Sequence, residues 1–269
     1  MSNCIIHPIP LFKTKGDKAR ILYQFRSGQE SLDLVNYVWY IEGTTEKILV
    51  EAGGSVDYYS KVRGVATENI QTLDSGLNKF GLSVDDINLV ILTHLDGDHV
   101  GQASRFSKAR FLVQREELEA AQKPHPLFAW RYSHGFFRGL NFETVSGDTK
   151  ICEEISLIST PGHSPGGQSV AIKTIHGTVI ISGVCSVKEN FEPPPSVNST
   201  SITSVVSPSM GVVEAYDKLV GSISSMSVVP PVIHTNVLDA YDSLVKIKKM
   251  GDIVVPAHDV EYVGKVSIP

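Results

Sequence analysis

The sequence predicts an α/β protein in which helices cover internal β-sheets. Short runs of β-branched and aliphatic residues, most of them bounded by Gly, Pro, Asp or Asn, recur along the whole chain and are typical of strands. Segments with apolar residues at helical spacing lie between these runs. Because both kinds are mixed across both halves and no linker separates them, we expect one domain spanning residues 1–269.

Eight runs are predicted to be strands. Each is an apolar stretch of the length that a strand buried in a sheet usually has. In chain order they are Val35–Ile41, Lys47–Val50, Leu89–Thr93, Arg110–Val113, Ile155–Ser159, Ser169–Ile172, Thr178–Ser182 and Ile253–Val255.

Four segments are predicted to be helices. In Thr67–Phe80 the apolar residues recur at helical spacing, with Thr67 as the expected N-cap and Gly81 as the stop. Arg115–Gln122 is short and charged, and Val213–Met226 belongs to the second half of the chain. In Val237–Met250, which Gly251 closes, an apolar side is expected to comprise Leu238, Tyr241, Leu244, Val245 and Ile247.

Charge and cysteine content exclude some classes of partner. The 24 Lys and Arg against 29 Asp and Glu give a net charge of −5, which does not favour binding to nucleic acid or to an anionic membrane. No targeting segment or membrane span is visible, and an odd count of three widely spaced cysteines is typical of a reducing compartment. We therefore expect a cytoplasmic protein that binds a small-molecule substrate. The sequence does not indicate its oligomeric state.

Two segments look irregular. Residues 124–142 are rich in aromatic side chains, and residues 191–212 are rich in Pro and Ser. Both are interpreted either as surface loops or as walls of a substrate pocket, since functional loops favour such positions.

Four possible metal ligands follow the predicted strand Leu89–Thr93 within six residues: His94, Asp96, Asp98 and His99. In an extended loop His94 and Asp96 project to the same side, so together they can chelate one ion. Gly97 lets the chain turn, so that Asp98 and His99 reach a second ion nearby. Imidazole and carboxylate ligands favour zinc, manganese or iron.

Two further histidines follow predicted strands. His163 lies in Thr160-Pro161-Gly162-His163-Ser164-Pro165-Gly166-Gly167, and His258 lies in Val255-Pro256-Ala257-His258-Asp259. Because the sites of α/β proteins usually assemble where strands end at one edge of a sheet, both are candidate ligands.

The order HxDxDHxG, TPGHSPGG and VPAHD resembles the metallo-β-lactamase-fold hydrolases, and within them the lactonase-like branch that includes the N-acyl-homoserine lactonases. The resemblance extends from Lys47–Val50 to His258. It implies an αββα sandwich of two mixed β-sheets flanked by helices, with a metal site at the edge between the sheets. Carried over by position, one ion would be held by His94, Asp96 and His163, and the other by Asp98, His99 and His258.

Two departures from the family pattern concern carboxylates. Asp96 occupies the position of the second His of the family's HxHxDH motif, and this harder ligand resembles the Glu of the related flavodiiron proteins. Glu51 replaces the usual Asp at the end of the strand Lys47–Val50, in a supporting role. One or two divalent ions are therefore expected, zinc first, with iron or manganese as alternatives.

A third departure concerns the bridging Asp of the family, which is Val184 here and cannot bind metal. Cys185, one residue later, is either a thiolate ligand or an ordinary buried thiol. The lactonases have a substrate-contacting Tyr three residues after the bridging Asp, and this chain has Val187 there. The resemblance therefore does not imply specificity for acyl-homoserine lactones.

The remaining histidines are weaker candidates. His234 is expected to cap a helix or to support a ligand rather than to bind metal itself. His125 and His134 are expected on the surface, with contact to substrate as the alternative. His7 and His176 are expected to be incidental surface residues.

The expected function is metal-dependent hydrolysis, in which metal-bound hydroxide cleaves an ester, lactone or related acyl bond and Asp98 orients or deprotonates the water. One alternative is an iron-dependent oxidoreductase of the same fold, although no flavin motif accompanies the domain. A nuclease is disfavoured because clustered basic residues are lacking. Another alternative is a catalytically impaired metal-binding or scaffold protein that has lost the bridging Asp.

Overall fold

Two β-sheets pack face to face in the computed structural model, and helices cover their outer sides. The structure describes residues 4–22, 30–194, 221 and 225–268. The first sheet has the order β4-β1-β2-β3-β5-β6-β7 and the second β12-β11-β10-β9-β8. The bounds are β1 Ile5–Asp17, β2 Ser31–Glu42, β3 Ile48–Val50, β4 Thr67–Asn69, β5 Leu89–Ile91, β6 Arg110–Gln114, β7 Phe142–Val145, β8 Thr149–Lys150, β9 Ile155–Ser159, β10 Gln168–Thr174, β11 Gly177–Ile181 and β12 Ile253–Val255.

The helices of the described residues are mostly short. Five have four to eight residues, and one has 14. They are α1 Lys18–Ile21, α2 Leu73–Asn78, α3 Gly97–Val100, α4 Arg115–Gln122, α5 His134–Phe137 and α6 Val237–Met250. None of the helices in this part of the chain has both the length and the apolar character that crossing a membrane would require.

Alternating side chains of the strands separate three layers of core. In β2, Tyr37 and Trp39 pack between the sheets, whereas Val38 and Tyr40 face the helices on the outer side of the first sheet. The outer side of the second sheet packs against Leu244 and other residues of α6. The order of layers is therefore helix, sheet, sheet, helix, and the predicted αββα fold is confirmed.

All eight predicted strands are present, with ends shifted by a few residues, but the longest strand, β1, was not predicted. Pro8 and Pro10 lie in β1 opposite Trp39 and Tyr37 of β2, and the register shifts just after Pro10. Around these prolines, β1 has β2 on one side and, within the described part of the chain, no strand on the other. β4 pairs with β1 only from Phe12 onwards, and an isolated bridge joins Ile6 and Ile268. Proline is tolerated where a strand has one free edge, so these prolines did not prevent strand formation.

The expectation that His7 is an incidental surface residue was wrong. Its side chain is buried, its ring stacks near Tyr40, and its nitrogens lie 2.8 Å from the Val266 carbonyl and 2.8 Å from a Glu42 carboxylate oxygen. The reason is its place on β1, which the sequence did not predict. His176 is exposed, as expected.

The predicted helix Thr67–Phe80 was wrong in its first half. Thr67–Asn69 forms β4, which pairs with β1, and only Leu73–Asn78 is helical. The N-cap is Thr72, whose side chain accepts a hydrogen bond from the Ser75 amide. Pairing with an unpredicted strand outweighed the helical spacing of the apolar residues.

The helices Arg115–Gln122 and Val237–Met250 have the predicted ends. In α6, however, Leu238 is exposed rather than part of the apolar side, and the buried residues include Ala240 and Ser243 in addition to Leu244 and Ile247. Most of the predicted helix Val213–Met226 and most of the irregular segment 191–212 lie outside the described residues.

The topology brings three loops to one edge of the sandwich. β3, β5, β6 and β7 run parallel, and β12 runs parallel to β11. The loops that follow β5, β9 and β12 carry the three predicted ligand motifs.

Candidate metal centre

Six side chains from these loops form two adjacent groups. In each group the donor atoms lie within 4.8 Å of one another. The first group contains His94, Asp96 and His163, and the second contains Asp98, His99 and His258. These are the two sets that the resemblance implied.

Donor atoms in the first group are closely spaced. His163 Nε2 lies 3.2 Å from His94 Nε2 and 3.4 Å from Asp96 Oδ2, and His94 Nε2 lies 3.6 Å from the same Asp96 oxygen. Spacings of this size suit ligands around one small divalent ion, whose bonds to nitrogen and oxygen are about 2.0–2.2 Å long.

The second group has a similar arrangement. Asp98 Oδ2 lies 3.5 Å from His99 Nε2 and 3.7 Å from His258 Nε2. The rings of His94 and His99 have centroids 3.9 Å apart, so the two groups are direct neighbours.

The loop after β5 is fixed by polar contacts and by close backbone packing. Asp96 precedes α3, which contains Asp98 and His99. Asn36 donates a hydrogen bond to the Asp98 carbonyl at 2.8 Å. A Cβ on Gly101 would lie 2.5 Å from the Gly97 carbonyl oxygen, so only glycine fits there. These contacts constrain the backbone of the loop that carries the ligand candidates.

Hydrogen bonds also orient two of the histidine rings. His163 Nδ1 donates to the Ile233 carbonyl at 2.6 Å, and His258 Nδ1 donates to the Val35 carbonyl at 3.1 Å. With the proton on Nδ1, the lone pair of each Nε2 points into the site, which is the usual arrangement of histidines that bind metal.

Glu51 supports the other two rings. Its carboxylate accepts a short hydrogen bond from the Thr93 hydroxyl, which in turn lies 2.9 Å from His94 Nδ1. A Glu51 oxygen also lies 3.0 Å from His99 Nδ1. Glu51 has φ +70°, a left-handed conformation that costs a non-glycine residue of order 1–3 kcal/mol and is often found at functional sites. The predicted supporting role of Glu51 agrees with these contacts.

The buried nitrogens of the His99 ring fit a metal ligand. Both of its nitrogens are buried, and neither makes a hydrogen bond of good geometry within the described part of the chain. Burial alone would lower the pKa of His99, but the carboxylates of Glu51 and Asp98 raise it to about 9. These groups stabilise positive charge at this point, which a divalent ion bound to His99 Nε2 would supply.

The two neighbouring histidines are held neutral. Burial lowers the pKa of His258 to about 4, and burial together with the charge of Arg131 lowers the pKa of His163. A neutral imidazole is the form that binds metal. His258 of the second group and His163 of the first group are therefore in the form that can bind a divalent ion.

Two buried charged residues at the site were not predicted from the sequence. Glu117 of α4 accepts hydrogen bonds from the amides of Leu95 and Gly166, and so connects two ligand loops. Arg131 donates to both carboxylate oxygens of Asp96, and its Nη2 lies 2.9 Å from His163 Nε2. Both residues belong to segments distant in sequence from the motifs, and no local pattern identifies them.

Val184 and Cys185 point in different directions. Val184 is fully buried among apolar residues between the second sheet and α6. Cys185 lines the same cavity as five of the six ligand candidates but belongs to neither ligand group. Burial, with Asp98 and Asp96 adding to it, raises the pKa of the Cys185 thiol to about 12. The thiol is therefore protonated at neutral pH in the absence of metal.

The other candidate histidines lie away from the two groups. His234 is half-buried, with Nδ1 2.7 Å from the Pro231 carbonyl, and it is in neither ligand group. His125 and His134 are exposed and do not line the cavity.

A cavity of about 490 Å³ opens onto five of the six ligand candidates, all except His94. Its lining combines aromatic side chains, such as Tyr59 and Trp130, with the basic side chains of Lys15 and Arg63. The Arg63 guanidinium lies 5.2 Å from the centre of the Trp130 ring. Segment 124–142 therefore forms part of the pocket wall through Trp130 and Arg131, and the pocket-wall interpretation is right for these residues.

A family model of the metallo-beta-lactamase superfamily matches residues 32–258. An N-acyl homoserine lactonase of Bacillus cereus is 33% identical over 118 residues, which are 43% of this chain and 46% of that protein. An N-acyl homoserine lactonase of a Bacillus species is 31% identical over 177 residues, which are 61% of this chain and 69% of that protein. The first match therefore spans less than half the length of the curated relative.

One solved structure with a similar fold is an N-acyl homoserine lactone hydrolase with the product N-hexanoyl-L-homoserine bound at its catalytic metal centre. It superposes with a TM-score of 0.73 over 100% of both chains, at 23% sequence identity. This likeness shows a common fold over the whole of both chains.

Proposed function

Because the chain belongs to the metallo-beta-lactamase superfamily, we propose that it is a metal-dependent hydrolase that cleaves an ester, lactone or related acyl bond. The observation that carries the proposal is the pair of histidine–carboxylate groups, His94–Asp96–His163 and Asp98–His99–His258, beside one cavity. Relatives named as lactonases support the acyl or lactone class of substrate.

The two groups are proposed to hold one or two divalent ions, zinc first. A bound divalent ion would supply a water of lowered pKa, near 7, and would polarise the carbonyl group under attack. Nitrogen and carboxylate donors support zinc, while the additional carboxylate of Asp96 keeps iron or manganese as alternatives.

Asp98 is the proposed catalytic residue. Its side chain keeps a quarter of its surface exposed, and it lines the cavity. Burial raises the pKa of Asp98, but the neighbouring His99 and His258 outweigh it and lower the pKa, so the carboxylate is ionised at neutral pH. An ionised oxygen at this place orients a water molecule and accepts its proton.

The cavity supports a small substrate with both apolar and polar parts. Tyr59 and Trp130 offer surface for an apolar portion, and Lys15 and Arg63 offer positive charge for a polar or anionic one. Val187, at the position where the lactonases have a substrate-contacting Tyr, is buried. We therefore propose an acyl or lactone substrate and do not extend the proposal to acyl-homoserine lactones.

A cytoplasmic location is also proposed. The three cysteines form no disulfide with one another, and Cys4 and Cys185 are buried. Thiols of this kind are stable in a reducing compartment.

The experiment compares the metal content and hydrolysis of purified protein, prepared without chelator, on a panel of lactones, esters and thioesters. Wild-type protein is expected to contain divalent metal and to hydrolyse at least one substrate class. His99→Ala and His258→Ala each remove a ligand and are expected to lower both metal content and kcat/KM at least 100-fold. His125→Ala is the matched control, because this histidine is exposed and lies away from the site.

Wild-type protein without metal, or hydrolysis that survives in His99→Ala and His258→Ala, would refute the proposal. Iron in the purified protein together with oxygen-dependent turnover would favour the oxidoreductase instead. Bound metal with no hydrolysis across the panel would favour a binding protein.

A further inference from the structure

A buried arginine occupies the first ligand group. The Arg131 side chain has no exposed surface. Its Nε lies 2.8 Å from Asp96 Oδ1, and its Nη2 lies 2.7 Å from Asp96 Oδ2. This is a bidentate pairing of a planar guanidinium with a carboxylate, the strongest kind of charged hydrogen-bond pair in proteins.

Arg131 also uses the lone pair that His163 would give to a metal. His163 Nδ1 donates its proton to the Ile233 carbonyl, so Nε2 has one lone pair, in the plane of the ring. Arg131 Nη2 lies 2.9 Å from this Nε2 and is its donor, and Arg131 Nη1 also donates to the His163 carbonyl. One lone pair cannot serve both a hydrogen bond and a metal bond. With Arg131 in place, only His94 and part of the Asp96 carboxylate are left for an ion.

The charge of Arg131 cannot be removed by deprotonation. A guanidinium stays protonated in proteins, and its partner Asp96 has only a small exposed fraction, 13%. A divalent ion entering the first group would face this fixed positive charge at close range.

The second group is free of this conflict. Among the described residues, the hydrogen bonds of the Arg131 side chain go to Asp96 and His163 alone. The His99 nitrogens are without a hydrogen bond of good geometry in the described part of the chain. Both groups consist of histidine and aspartate side chains, but only the first has its donor atoms hydrogen-bonded to a buried arginine.

We propose that the Arg131 guanidinium is the built-in cation of the His94–Asp96–His163 group, so that the chain binds one divalent ion, at Asp98–His99–His258. The inference rests on the proposed function, because it assumes that the second group holds metal. It also connects two departures from the family pattern. A carboxylate at position 96 pairs with two of the guanidinium nitrogens, as a histidine cannot, and Val184 supplies no ligand that would bridge two ions.

The test is the number of zinc ions bound per chain at saturation, measured by elemental analysis after gel filtration and by calorimetric titration of the metal-free protein. Wild-type protein is expected to bind one ion. His258→Ala is expected to bind none with comparable affinity, whereas His94→Ala is expected to retain one, since His94 lies in the group that Arg131 fills.

Removing the arginine is expected to open the first group. Arg131→Met leaves Asp96 buried without its partner, so this variant is purified with zinc present, and its stoichiometry is expected to rise to two. The double variant Asp96→His/Arg131→Met removes the unpaired carboxylate and restores the family's HxHxDH pattern, and it is also expected to bind two ions. Arg138→Met, an exposed position in the same segment, is the control and is expected to bind one ion.

Two zinc ions in wild-type protein would overturn the inference while leaving the proposed function intact. A folded double variant that still binds one ion would also overturn it. A single ion that is lost in His94→Ala and kept in His258→Ala would place the metal in the His94–Asp96–His163 group. This result would also overturn the inference. Wild-type protein that binds no zinc, iron or manganese would instead refute the proposed function.

Discussion

Glu117 shows how a single buried carboxylate organises the site without belonging to either ligand group. It accepts hydrogen bonds from the Leu95 amide at 3.0 Å and the Gly166 amide at 3.1 Å, and the Tyr132 hydroxyl lies 3.3 Å away. Leu95 belongs to the loop of His94, and Gly166 to the loop of His163. Burial raises the pKa of Glu117, which reflects its position inside the protein.

Glu117→Ala is expected to destabilise the fold by about 2–4 kcal/mol, because it leaves two buried amides without acceptors at about 1–3 kcal/mol each. The measurement is urea unfolding at equilibrium. Glu116→Ala, an exposed neighbour on the same helix, is the control and is expected to change the unfolding free energy by less than about 0.5 kcal/mol. Equal effects of the two substitutions would show that Glu117 does not connect the loops.

Cys185 is the residue for which the sequence left two interpretations open. The raised pKa of its thiol and its place outside both ligand groups favour a neutral thiol in the cavity wall. Cys185→Ser is accordingly expected to leave the number of bound metal ions unchanged. Elemental analysis of the purified variant checks this. Loss of a metal ion would instead identify Cys185 as a thiolate ligand.

At the scale of elements, helix α6 and the loop of His163 depend on each other. The Gly162 carbonyl accepts hydrogen bonds from the amides of Thr235 and Asn236, just before the helix begins. Gly162 has φ +118°, and a Cβ there would lie 2.1 Å from the Ala240 amide nitrogen. The helix therefore packs directly against the backbone that presents His163.

Gly162→Ala is expected to lower the free energy of unfolding by about 3–5 kcal/mol, since it adds a clash with the helix backbone to an unfavourable φ. Gly139→Ala provides the matched control, because Gly139 has φ +79° but open space around its Cβ position. The control is expected to lose only about 1–2 kcal/mol. Denaturant unfolding measures the free energy of unfolding of both variants. A similar decrease in the two would mean that the helix moves to accommodate the added methyl group.

Elements with a local signal were predicted well. Arg115–Gln122 and Val237–Met250 have their predicted ends because apolar spacing and terminal residues mark them in the sequence. By contrast, β1 contains Pro8 and Pro10, which weaken its strand signal. Since β4 depends on pairing with β1, it was predicted as helix instead. Pairing between strands that are distant in sequence could not be predicted, because a short stretch of sequence holds no information about the partner strand.

At the scale of the whole molecule, the six ligand candidates were predictable and their neighbours were not. His94, Asp96, Asp98 and His99 lie within six residues, so one turn of chain brings them together. His163 and His258 each follow a strand, and the sandwich places these strand ends at one edge. Glu117 and Arg131 come from other segments, and their role depends on how the layers assemble. The sequence therefore predicted which candidate donors lie together, but not the Arg131 guanidinium that lies among them.

The proposed hydrolysis depends on a metal ion held at the edge of the sandwich. The most direct measurement follows the hydrolysis of a responsive lactone or ester while metal is removed by a chelator and then restored in steps. We expect the rate to fall to background as metal is removed and to return in proportion to the metal restored, while His99→Ala stays inactive throughout. A metal-free, folded protein that hydrolyses the substrate at the original rate would contradict the account.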